Sequence, residues 1–132
     1  MRVRCPVRLA GLLTVAAVAL PTCSSSSDAP TSPSGPVQSA IVNLLDSNTF
    51  SPSTVTIVPG GTVTFVNLGG EHNVTADDGS FRCANGCDGS GGNGTPATNG
   101  WSVTITFPNV GSVPYNCEVH VGEGMTGTVI VQ

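Results

Sequence analysis

Between Tyr115 and Met125 the chain reads Tyr-Asn-Cys-Glu-Val-His-Val-Gly-Glu-Gly-Met, which puts a thiol, an imidazole and a thioether into one short stretch. All three are soft metal donors. If a strand ends at Cys117 and the chain turns back, a thiolate, a ring nitrogen and a weak sulfur donor converge on one point, a set that suits copper cycling between its two oxidation states. A site of that kind also needs a second imidazole, and the chain holds one other histidine, His72. The candidate metal ligands are therefore His72, Cys117, His120 and Met125.

The elements that must position these four read as short strands. Apolar residues alternate at Val55/Ile57, Val63/Phe65 and Val103/Ile105/Phe107, the period-2 signature of half-buried antiparallel strands. Strands are expected over residues 37–45, 54–58, 62–67, 73–76, 101–107, 112–117 and 126–131. They are separated by Pro59-Gly60-Gly61, Gly69-Gly70, Pro108-Asn109 and Gly122/Gly124. Helix signals are nearly absent. This texture predicts an all-β, two-sheet sandwich over residues 37–132 with Trp101, Phe65 and Phe107 filling its core.

The ligand stretch, together with Glu71-His72-Asn73-Val74, resembles the copper site of the plastocyanin-like cupredoxins. The resemblance runs from about Phe50 to Val131 and takes in Phe50-Ser51-Pro52, Val55/Ile57, Gly60-Gly61, Val63/Phe65 and Asn67. Two positions depart from the pattern: Glu71 stands where plastocyanins usually carry proline, and Asn116 where they carry an aromatic residue. The resemblance implies a Greek-key β-sandwich of about seven to eight strands holding one mononuclear copper. In it, Cys117, His72 and His120 form a near-trigonal plane, Met125 is a long axial ligand, and Asn73 braces the two ligand segments. It implies a carrier of single electrons and no enzyme, since both histidines are committed to one site. Copper storage or delivery is the alternative function.

The front of the chain reads as an export signal. Arg2, Arg4 and Arg8 precede an apolar run over residues 9–20, about right for a signal-peptide core and short of the roughly 20 residues that a membrane span needs. Residues 1–22 are read as the signal peptide and 23–36 as a Ser/Pro-rich tether. Leu20-Pro21-Thr22-Cys23 is similar to a bacterial lipoprotein processing site, so Cys23 is either a lipid anchor or part of a soluble exported chain. The expected location is the periplasm or the extracellular face.

From Cys23 onward one basic residue, Arg82, faces eight acidic ones, a side-chain balance of −7 that excludes a nucleic-acid binder. A monomer meeting a basic, cytochrome-like redox partner transiently is the expectation that charge supports. Among the five cysteines, Cys5 leaves with the signal, Cys83 and Cys87 can pair, and Cys117 remains free for metal. The Cys-x-x-x-Cys spacing also occurs in binuclear copper centres, but residues 88–100 carry neither histidine nor methionine. Residues 76–100, rich in Gly, Asn and Asp, read as a long loop with little to offer a core.

Overall fold

The structure is a computed structural model that describes residues 35–89, 93–98 and 100–132. The expected signal peptide, Cys23 and most of the tether lie outside the described residues. Among the described residues nine strands form: β1 (Val37–Leu45), β2 (Thr49–Ser51), β3 (Thr54–Asn67), β4 (Val74–Ala76), β5 (Arg82–Ala84), β6 (Gly86–Cys87), β7 (Ser102–Phe107), β8 (Gly111–Asn116) and β9 (Thr126–Val131). One short 3-10 turn, Val121–Glu123, interrupts them.

β3 organises the rest. Its first half pairs in parallel with β9 (Thr54↔Thr128 to Ile57↔Val131), while its second half pairs antiparallel with β7 (Gly61↔Phe107 to Val66↔Ser102). Along its other edge β1 runs parallel, with a register jump between Val37↔Ile57 and Ser39↔Thr62. Residues 58–61 therefore bulge out of the ladder with β1, and Gly60 sits there at φ 79°. Gly61 is packed so closely that a Cβ would come 2.8 Å from the carbonyl oxygens of Gln38 and Val58. The Pro59-Gly60-Gly61 turn expected between two strands is thus a corner inside one strand, which passes from one layer to the other.

One layer is β2-β1-β3-β7 and the other is β3-β9-β8-β4-β5-β6. The all-β sandwich expected from the sequence forms, with nine strands among the described residues where seven or eight were expected. Inward positions follow the alternation: Val55, Ile57, Val63 and Phe65 of β3 and Val42 and Leu44 of β1 are buried. Aromatic rings bridge the layers. Tyr115 of β8 meets Phe65 edge-on at 5.2 Å and Phe50 at 4.9 Å, and its hydroxyl donates to the Ser53 carbonyl at 3.2 Å. Trp101, Phe65 and Phe107 are all buried, as expected.

Residues 76–100 do more than the sequence suggests. β5 pairs with β4 and then turns back as β6, with Cys83 and Cys87 opposite one another and joined by a disulfide. Cys83 and Ala84 are fully buried, and the Phe81 ring packs on Phe65 and Phe107. Strands of two and three residues are too short to show a period, so this part of the core left no alternation to read.

Candidate metal centre

Three strand ends meet at one pole of the sandwich: the end of β1, the start of β4 and the end of β8. His72 lies just before β4, where its amide and carbonyl form a two-way bridge with Ala97 (3.2 and 3.0 Å). Its ring Nε2 is 3.1 Å from the Leu45 carbonyl oxygen at the end of β1. A carbonyl only accepts, so Nε2 carries the proton and Nδ1 presents its lone pair. Gly70, at φ 83°, makes room for this ring, since a Cβ there would stand 2.5 Å from Nε2. Burial, and then the neighbouring His120 ring, hold the His72 pKa below its ordinary value of 6.5, which keeps the imidazole neutral and able to donate to a metal.

Cys117 follows β8 directly and is fully buried. Its amide donates to the Met125 carbonyl (3.1 Å), and the His120 amide donates back to the Cys117 carbonyl (3.1 Å). The chain then makes its 3-10 turn and returns, with the Glu123 and Met125 amides both donating to the His120 carbonyl (2.9 and 3.2 Å) and Gly124 at φ 89°. This stitching compacts Cys117, His120 and Met125 into one loop that leads straight into β9. Met125 is fully buried.

The structure brings three of the four candidate donors to one point. His72 Nδ1 and His120 Nδ1 are 3.2 Å apart, and Cys117 Sγ is 3.7 Å from the first and 3.6 Å from the second. A triangle of that size is what three donors make around one ion at bond lengths of about 2.0–2.3 Å. His72 and Cys117 are buried, while His120 reaches the surface. Two imidazoles and a thiol, with a thioether in the same loop, are a donor set that selects copper. Cys83 and Cys87 stand apart from it as a disulfide, so the binuclear reading of that pair is set aside.

Around the triangle lies a polar frame, of which the sequence led one to expect only the brace at Asn73. Asn73, fully buried, accepts from the Glu118 amide (2.9 Å) and donates to the Gly94 carbonyl (3.0 Å) and to Thr75 Oγ1 (3.2 Å). Asn73-Val74-Thr75 spells a glycosylation sequon, but the Asn73 amide is buried with both ends engaged and so is inaccessible in the folded chain. Arg82 grips Glu118 with two parallel bonds, Nε to Oε1 at 2.7 Å and Nη2 to Oε2 at 2.8 Å, and reaches Asp88 Oδ2 at 3.0 Å. That guanidinium holds the Glu118 carboxyl below the usual carboxylate range. On the other side of the loop Asn48, at φ 57°, donates to Glu123 (2.7 Å). Asn116, the departure before Cys117, donates to Asp77 (2.7 Å). Besides Asn73, the hint of this frame in the sequence is Arg82, the single Lys or Arg after residue 22, set against eight acidic residues.

The profile of the copper-binding plastocyanin/azurin family matches residues 42–132. A chloroplastic plastocyanin from Tetradesmus obliquus is 38% identical over 84 residues, covering 63% of this chain and 58% of that protein. Plastocyanin from Scenedesmus fuscus is 37% identical over the same length, covering 63% of this chain and 86% of that protein. The match thus spans little more than half of the first of these relatives. Among solved structures, a purple cupredoxin from Nitrosopumilus maritimus superimposes with a TM-score of 0.53 at 23% identity, over 70% of this chain and 99% of that one, and so shares the fold. Because the family profile runs from the middle of β1 to the last residue and takes in every strand end that meets at this pole, the chain belongs to the plastocyanin/azurin family of copper-binding proteins, and its donor set is that of a single copper ion.

Proposed function

We infer that this protein is a blue-copper electron carrier in which His72 Nδ1, Cys117 Sγ and His120 Nδ1 would hold the ion closely and Met125 would be a fourth, weaker ligand. The observation that carries this reading is the triangle of two imidazole nitrogens and one sulfur, 3.2 to 3.7 Å on a side, at the buried junction of three strand ends. Copper supplies a one-electron change of charge. Everything else is the work of the chain. The Leu45 carbonyl fixes the His72 ring, the Met125 carbonyl fixes the Cys117 amide, and both strands that lead in are held in ladders, so the donors have little freedom to rearrange when an electron arrives or leaves.

His120 is the partly exposed member of the set and lies between Val119 and Val121, both about half exposed, so its ring edge is the short way out for an electron. A storage or delivery protein would need ligands that exchange readily, and a buried thiolate clamped between two imidazoles opposes exchange. The carrier reading also places the chain outside the cytoplasm. The disulfide Cys83–Cys87 fits an oxidising compartment, and the leader-like residues 1–22 fit export, with Cys23 as a lipid anchor or the chain released as a soluble monomer. Its partner is read as a basic redox protein met transiently.

Addition of Cu(II) to the purified chain tests the assignment. An intense visible band from thiolate-to-copper charge transfer is expected, and it should vanish in Cys117→Ser. Stoichiometric Cu(II) uptake with a nearly colourless product would reject the blue-site assignment and favour storage.

A further inference from the structure

The Arg82 guanidinium does not end at Glu118. Starting from that side chain, a path of hydrogen bonds runs from Glu118 to Arg82, from Arg82 to Asp88 Oδ2, and from Asp88 Oδ1 to the Gly94 amide (2.8 Å). It continues from the Gly94 carbonyl to Asn73 Nδ2 (3.0 Å) and from Asn73 Oδ1 back to the Glu118 amide (2.9 Å). The path is closed: it leaves Glu118 by the carboxylate and re-enters at its backbone, one peptide away from Cys117.

Two further features suit the β5–β6 hairpin to hold this ring. The Asp88 amide donates to the Arg82 carbonyl (2.9 Å), and the Cys83–Cys87 disulfide ties the two arms just inside that bond. Gly94 passes so close to the Arg82 backbone that a Cβ would overlap the Arg82 carbonyl, so the approach of residue 94 to the hairpin requires glycine. Arg82 is also the only positive side chain in the folded domain, and it is spent on a fork to a carboxylate beside the metal centre rather than on solvent.

We propose that Arg82 is a positioning residue for the copper centre: by closing this ring it fixes the Cys117–Glu118 peptide and sets a positive charge beside the site that favours the reduced, less positive copper. The proposal rests on the blue-copper reading given above. Arg82→Gln removes both the fork and the charge, whereas Arg82→Lys keeps the charge and loses the two-point fork. Both changes lie on the surface and leave the core untouched.

In the copper-free full chain, exchange of the Glu118 amide is expected to speed up about two- to fivefold in both variants, the factor for an ion pair at the strong end of the exposed range. In the copper-loaded chain the reduction potential is expected to fall in Arg82→Gln and to stay closer to wild type in Arg82→Lys. Glu118 exchange that matches wild type in both variants would overturn the ring. An unchanged potential in Arg82→Gln would overturn its link to copper. A wild-type chain that takes up no copper would overturn the proposed function itself, a failure told apart because the exchange measurement is made without metal.

Discussion

Gly70 offers a measure of how far the His72 ring is held by its surroundings. In Gly70→Ala two costs arise. An alanine forced to φ near 83° carries about 1–2 kcal/mol of backbone strain, and its Cβ, 2.5 Å from Nε2, pushes the ring off the Leu45 carbonyl, losing about 1 kcal/mol of hydrogen bonding. Gly79→Ala supplies the control, because Gly79 has φ 75° but open space where its Cβ would go, so only strain remains. Chemical denaturation of the copper-free chain should therefore show a loss of about 2–3 kcal/mol at position 70 and about 1 kcal/mol less at position 79. Competition against a chelator should show copper affinity reduced about 10- to 100-fold for Gly70→Ala, the usual effect of disturbing the partner that orients a metal-bound histidine, and unchanged for Gly79→Ala. Equal destabilisation by the two changes, with wild-type copper affinity in both, would refute the reasoning that Leu45 and Gly70 set the pose of His72.

Met125→Leu is expected to keep the colour and raise the reduction potential by voltammetry, since a lost sulfur donor weakens Cu(II) more than Cu(I); as a volume-conserving swap it should cost under about 1.5 kcal/mol. A lowered potential would remove Met125 from the set of proposed ligands. Because burial and His120 hold the His72 pKa below 6.5, the unfolded chain takes up a proton that the folded chain resists, so copper-free stability should be constant above pH 6.5 and decline as pH falls below it. Denaturation midpoints across pH 5 to 8 check this, and a flat profile would refute it. With Glu118 paired to Arg82, steering of a cationic cytochrome falls to the balance of −7 carried from Cys23 onward; its electron-transfer rate should drop as salt rises and the Debye length shrinks from about 30 Å at 10 mM to about 8 Å at 150 mM. A rate that is flat or rises with salt would reject the basic partner.

The gathering of His72, Cys117 and His120 was legible because their residue types are scarce and chemically marked: two histidines and one unassigned thiol leave little freedom of assignment. The strands that carry them were legible through alternation, as in Val55/Ile57 and Val63/Phe65. What stayed hidden depends on partners distant in sequence. Pro59-Gly60-Gly61 has the local chemistry of a turn, and only the pairing of both flanks with β1 makes it a corner of one strand. The atom that orients His72 is a backbone carbonyl, Leu45, which carries no mark of residue type. Phe81, Ala84 and Cys83 join the core from a segment whose Gly and Asp content reads as solvent-exposed loop.

The corner in β3 also decides where the folded domain opens and closes. Val37, the first residue of β1, and Val131, the last of β9, both pair with Ile57, one on each edge. They are therefore separated by two strand spacings, about 10 Å, a gap that a linker of roughly three to five residues spans. Both lie at the far ends of their strands from Leu45 and Thr126, where the metal donors gather. The domain is thus suited to circular permutation: its ends can be joined across Ile57 and a new opening cut in the exposed 108–110 turn, with every element that holds the copper donors kept in one continuous piece.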